Sequence, residues 1–139
     1  GFNVPYGHYK TTPTIITKEE LDKISNLIKD VEFRTLSFKE SIKYPKEGDF
    51  VYMDPPYAPE TKTSFVGYLK DGFTQECHKK LFEEIVRMNE RKVKFCLSNA
   101  KVDLVTDALK NFKIEEIEAR RAIHSKKPDS KTLEVIITN

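Results

Sequence analysis

The stretch "FVYMDPPYAP" (residues 50–59) decides how this chain folds. Four apolar residues run into an acid, two consecutive prolines and a tyrosine. Proline fixes φ and has no N–H for a sheet ladder, so Pro55 and Pro56 must end any strand that precedes them. A second apolar run, "VKFCLSN" (93–99), reads as another buried strand. Between the two lies "TQECHKKLFEEIVRMNERK" (74–92), whose Leu81, Phe82, Ile85 and Val86 recur at helical spacing as a buried stripe. Alternating buried strands and helices predict an α/β domain with a mixed, mainly parallel sheet. In such sheets the ligand crevice lies outside the carboxyl ends of the strands. Asp54-Pro55-Pro56-Tyr57 and Ser98-Asn99 are therefore expected to be neighbours in space.

Working outward, "TKEELDKISNLIKD" (17–30) opens with Thr17 and places Glu20 three residues later, the capping-box spacing of a helix start. Leu21, Ile24, Leu27 and Ile28 then share one helical face. "VEFRTLS" (31–37) reads as a short strand, and Phe38 begins a brief helical turn through Ile42. Residues 58–73 read as an irregular loop carrying Phe65, Tyr68 and Phe73, of a length that is usually functional. "KVDLVTDALKNF" (101–112) reads as a helix. "KIEEIEARRAI" (113–123) and "TLEVIIT" (132–138) read as closing strands that pair antiparallel at the sheet's edge. From Val31 onward the order is strand, strand, helix, strand, helix, strand, strand. Residues 1–16, rich in Gly, Pro and Thr with interleaved aromatics, read as an extended or hairpin segment.

At 139 residues the chain has the size of one domain and enough length to bury a core. Hydrophobic content of 38% against 33% charged describes a globular protein. No run approaches the roughly 18 apolar residues needed to span a bilayer, and nothing at the start resembles a secretory signal. The expected compartment is the cytoplasm, with Cys77 and Cys96 as reduced thiols and no CxxC pair. His8, His78 and His124 are scattered, which argues against a metal site. The formal net charge is only +2, but its distribution is uneven. "ARRAIHSKKPDSK" (119–131) holds Arg120, Arg121, Lys126, Lys127 and Lys131 against Asp129 alone, and "GHYK" (7–10) adds a second basic and aromatic cluster. Such stretches suit a polyanion, although a solvated loop explains either one equally simply.

The chemistry of the turn is more specific. Asp54 is an acceptor when ionised, each proline keeps a carbonyl acceptor at fixed φ, and Tyr57 offers a flat face with a polar tip. This set suits a planar ligand bearing an –NH2 group. The exocyclic amine of a purine is a poor nucleophile because its lone pair is delocalised into the ring. Accepting both hydrogens at fixed positions favours the pyramidal nitrogen and stabilises the charge that grows on alkylation. Holding it beside an electrophilic methyl group supplies the rest by proximity, with no metal and no strong base required. Against this stands the plain reading of Pro-Pro as a strand terminator. The full tetrapeptide would arise by chance in a chain of this length roughly once in a thousand, which favours the functional reading.

"DPPY" after a hydrophobic strand resembles the catalytic motif of adenine-N6 DNA methyltransferases, and the surrounding text resembles their Dam-type branch. "FNVPYGHYK" (2–10) is similar to the FNVPFGRYK segment of that branch's DNA-recognition region. "SFVGYLKDGFT" (64–74) resembles the loop after the motif, and "LSN" (97–99) and "ARRAIHS…LEVIITN" its later strands. The resemblance implies a partial Rossmann-like, S-adenosylmethionine-dependent methyltransferase fold. Residues 1–16 would be the end of a target-recognition region, and 17–139 the carboxyl-terminal part of the catalytic domain. It also implies transfer of a methyl group from S-adenosylmethionine to an adenine flipped out of double-stranded DNA. By position, Asp54 and the Pro55 carbonyl would hold the 6-amino group, with Pro56 completing the turn and Tyr57 stacking on the base. Phe38 falls where the family sets an aromatic against the cofactor's adenine, beside Asp54, and equally reads as a core aromatic. Asn3, Tyr6, His8, Tyr9 and Lys10 would lie at the DNA, His8 standing where the family often has Arg. Arg120 and Arg121 would be phosphate contacts, or surface charges on an edge hairpin.

One departure is large. The family grips S-adenosylmethionine through a glycine-rich F-x-G-x-G turn, and no two of the five glycines here are spaced G-x-G. The chain thus resembles the carboxyl-terminal half of such an enzyme. A fragment of a full enzyme is the first expectation, consistent with a Gly-Phe start. The others are one half of a split enzyme whose partner chain carries the cofactor motif, and a remnant that folds without catalysing. Methylation of an amine in RNA or on a protein glutamine is a second enzymatic reading, but glutamine methyltransferases typically begin the motif with Asn. A non-catalytic nucleic-acid-binding or assembly module is the alternative of a different class.

Overall fold

The computed structural model describes residues 15–59, 73–120 and 131–139. The chain divides into two compact units, residues 1–35 and 36–139. In the first unit, α1 (Lys18–Leu27) starts where its cap dictates. The Thr17 hydroxyl accepts the Glu20 N–H at 3.2 Å and the Glu20 carboxylate accepts the Thr17 N–H at 2.8 Å, so two orphan donors are satisfied together. The expected apolar stripe is present, yet Leu21, Ile24, Leu27 and Ile28 are all exposed.

Residues 31–37 form no strand, contrary to expectation. The alternation of Val31 and Phe33 permits an extended backbone, but among the described residues the segment enters no strand pairing, and a lone strand is not stable by itself.

The second unit opens with α2 (Phe38–Ser41), another capping box, made by Ser37 and Glu40. Then come β1 (Phe50–Met53), α3 (Gln75–Glu90), β2 (Lys94–Ala100), α4 (Asp103–Thr106), β3 (Lys113–Arg120) and β4 (Lys131–Thr138). The sheet order is β1-β2-β4-β3. β1 and β2 pair parallel, while β4 pairs antiparallel with both β2 and β3. β1, β2 and β3 therefore point one way and β4 the other. The sheet is mixed, as expected, but not mainly parallel in its pairings, because the reversed β4 is inserted between β2 and β3. The closing hairpin is antiparallel as expected, with β3 on the edge and β4 in the interior.

Side chains alternate across the sheet. One face carries Val51, Met53, Phe95, Leu97, Val135 and Ile137, which join α3 residues in the core. The α3 stripe is His78, Leu81, Phe82, Ile85 and Met88. Val86 is 41% exposed, one position further round the helix than Ile85, so it leaves the stripe that sequence spacing assigned it. The helix expected over 101–112 survives as the single turn of α4. Its N-cap, Val102, has no side chain that can cap; α4 buries Val105, and the chain runs on as turns that bury Leu109. No helix among the described residues is long and apolar enough to cross a membrane.

Two contacts position the chain entering β1. The Arg91 guanidinium, just past α3, donates to the carbonyls of Ile42 at 2.7 Å, Pro45 at 3.0 Å and Lys43 at 3.2 Å. At the far end the Lys94 N–H donates to the Asp49 carbonyl at 3.1 Å, starting the β1–β2 ladder.

Candidate active site

The β1–β2 register places Met53 opposite Leu97, so Asp54 emerges beside Ser98. The Ser98 hydroxyl donates to Asp54 Oδ1 at 2.8 Å and lies 3.3 Å from the Tyr52 hydroxyl. A serine oxygen with one proton and two lone pairs can serve both neighbours at once. One carboxylate oxygen of Asp54 is thereby occupied, while Oδ2 meets no donor among the described residues. Asn99 holds the other end of the turn. Its Oδ1 accepts the Ala58 N–H at 2.9 Å, and both residues are buried. Ser98 and Asn99 thus meet the D-P-P-Y turn as expected, although they lie within β2 rather than beyond it.

Tyr57 is half-buried, and its hydroxyl donates to Glu134 Oε2 on β4 at 3.2 Å. Burial pushes the phenol above its ordinary pKa, the Ser98 hydroxyl opposes the rise, and the Glu134 and Asp54 carboxylates add to it. Tyr57 therefore stays a neutral donor across the physiological range.

Beside the turn lies a cavity of about 280 Å³, walled by Phe38, Val51, Met53 and Phe73 with Asp54 and Pro55 among its lining. The Phe38 and Phe73 rings stand 5.6 Å apart and tilted by 57°. Behind Phe73 the His78 ring is fully buried, edge-on at 4.7 Å. Such a pocket sits just under the roughly 300–1,000 Å³ of small-molecule sites, apolar with convergent acceptors at one side.

Asp54, Pro55 and Pro56 thus share the cavity with Phe38, whereas Tyr57 is outside its lining and is directed to Glu134 instead. Arg120 ends β3 opposite Lys131. Asn3, Tyr6, His8, Tyr9, Lys10 and Arg121 lie outside the described residues. Sequence reading assigned no role to Tyr52, Phe73 or Glu134. Glu134 left a signal, an acid inside the otherwise apolar run "LEVII".

The model of the D12 class N6 adenine-specific DNA methyltransferases matches residues 1–123. The chain belongs to that family. Enzymes of this family use S-adenosylmethionine as methyl donor. Among relatives, the chain is 37% identical to type II methyltransferase M1.LlaDCHI of Lactococcus lactis subsp. cremoris, over 99% of this chain and 50% of the relative. It is 36% identical to type II methyltransferase M.MjaIII of Methanocaldococcus jannaschii, over 90% and 44%. It is 30% identical to the DNA adenine methylase of Escherichia coli K12, over 89% and 44%. The chain spans about half the length of the curated relatives it matches.

Proposed function

We propose that this chain supplies the base-gripping side of an enzyme that methylates the 6-amino group of adenine flipped out of double-stranded DNA. The observation that carries the reading is the Ser98–Asp54 hydrogen bond, which holds the first residue of the motif by one oxygen and leaves the other without a donor among the described residues. In this reading Asp54 Oδ2 and the Pro55 carbonyl accept the two amine hydrogens, Pro56 rigidifies the turn, and Tyr57 stacks on the base. Aligned acceptors oppose delocalisation of the nitrogen lone pair and offset the positive charge that develops on it. S-adenosylmethionine, when bound, supplies the electrophilic methyl group. The aromatic wall of Phe38 and Phe73, beside Asp54, fits the ring-bearing part of that molecule. Asn3, Tyr6, His8, Tyr9, Lys10, Arg120 and Arg121 would meet DNA, making binding fall steeply with salt.

The rest of the cofactor cradle would come from outside these residues, from an amino-terminal half or a partner chain. β1 supports this. It pairs on one side only among the described residues, with Phe50 66% and Tyr52 60% exposed, and an open apolar edge favours association. Residues 1–16 would then close a target-recognition region and 17–139 complete a Rossmann-like catalytic domain. In the complete enzyme, Asp54→Ala should abolish methylation of duplex DNA while binding in a gel-shift assay stays within about threefold of the unsubstituted enzyme. Methylation surviving that change would sink the assignment.

A further inference from the structure

We infer that Glu134 is a positioning residue for methyl transfer, its carboxylate tethering the Tyr57 hydroxyl and so fixing the tilt of the ring on which the base would lie. The inference rests on the adenine-methylation reading for its consequence, and on the structure for the contact.

The backbone around Tyr57 has little freedom left. Pro55 and Pro56 fix their own φ, and the Ala58 N–H is pinned to buried Asn99. What stays soft is the tyrosine side chain, which turns about two torsions. Its far end is caught at 3.2 Å by Glu134, on a strand hydrogen-bonded on both sides. Glu134 stands opposite Ala100 of β2 and Ile117 of β3, so its backbone cannot drift independently of the sheet.

The surroundings of the acid point the same way. It is half-buried in an apolar strand, and among the described residues its carboxylate meets a phenol rather than an ammonium or guanidinium. The two ends of the motif are thus held from different strands. Ser98 on β2 orients the acceptor, and Glu134 on β4 orients the ring.

The test is single-turnover methylation of a duplex by the complete enzyme. Glu134→Ala should slow transfer about tenfold, the loss of one hydrogen bond to a charged acceptor, with KM for S-adenosylmethionine unchanged. Glu134→Gln, which keeps an acceptor, should stay within about threefold of the parent, and Tyr57→Phe should be at least as slow as Glu134→Ala. The double variant Tyr57→Phe/Glu134→Ala should be no slower than Tyr57→Phe, because the hydroxyl that Glu134 holds is already gone. Additive losses, an unaffected Glu134→Ala or an equally slow Glu134→Gln would each overturn the inference. If the unsubstituted enzyme leaves adenine in DNA unmethylated, the reading of function fails instead. The tether is then judged by 13C NMR of labelled tyrosine, with the Tyr57 signal assigned from Tyr57→Phe. Its ionisation should shift to lower pH in Glu134→Gln, and an unmoved titration would overturn the contact itself.

Discussion

At the scale of single residues, two buried polar groups have opposite circumstances. Ser98 is 3% exposed, and its hydroxyl donates to Asp54, with the Tyr52 hydroxyl and the Met53 carbonyl also within reach. Ser98→Ala frees the Asp54 carboxylate to rotate and removes one of its hydrogen bonds. Single-turnover rates of the complete enzyme should fall roughly ten- to a hundredfold, the equivalent of one charge-assisted hydrogen bond, with little change in melting temperature. His78 is the reverse case. It is fully buried between Phe73 and Phe82, and neither ring nitrogen finds a partner among the described residues. Burial holds its pKa below the ordinary histidine value. The unfolded chain takes up a proton near pH 6.5 that the folded one resists, so stability is full above that pH and declines as pH falls through the window below it. Thermal melts from pH 7.5 to 5 should show this decline, and His78→Leu should flatten it while raising stability at pH 7 by about 1 kcal/mol.

Among the elements, the end of α3 shows how a connection is set. Lys92 has φ of 60°, the left-handed conformation. The Lys92 N–H donates to the Asn89 carbonyl at 2.9 Å and the Val93 N–H to the Met88 carbonyl at 3.2 Å, the pair of bonds that closes a Schellman motif. Met88 and Val93, both fully buried, give the motif its hydrophobic contact. The chain then enters β2 within two residues, which brings Ser98 and Asn99 to the turn after β1. Glycine adopts φ > 0 without the Cβ penalty that lysine carries here. Lys92→Gly should therefore stabilise the fold by about 0.5–1 kcal/mol, read by urea denaturation. A loss of stability would show that the lysine side chain contributes more than its backbone costs.

For the molecule as a whole, the site is lopsided. The Asp54 turn, the aromatic cavity and the strands that brace them lie in residues 36–139, whereas no glycine pair capable of cradling the methionine end of a cofactor occurs in the sequence. Backbone N–H groups close to a ligand need such glycines, because a Cβ would block the approach. Titration calorimetry of this chain alone with S-adenosylmethionine should accordingly show Kd weaker than about 1 mM, which corresponds to only about −4 kcal/mol. Tight binding would contradict a cofactor site completed from elsewhere.

Local rules were legible before any coordinates. The capping boxes at Thr17 and Ser37 follow from residue spacing, although sequence reading named only the first. The stop after Met53 follows from proline's missing donor, and the expected meeting of the turn with Ser98 and Asn99 from the way α/β sheets present their strand ends. Other features depended on partners remote in sequence. Val31–Ser37 is strand-like by composition but enters no pairing among the described residues, and strand formation requires one. The insertion of β4 between β2 and β3 is a choice of pairing that alternation along one strand does not specify. That choice carries Glu134 across 77 residues of sequence to the Tyr57 hydroxyl. The sequence by itself determined which residues could grip an amine. Only the tertiary structure decided what holds them in place, because a hydrogen bond between distant segments depends on the sheet's order and register.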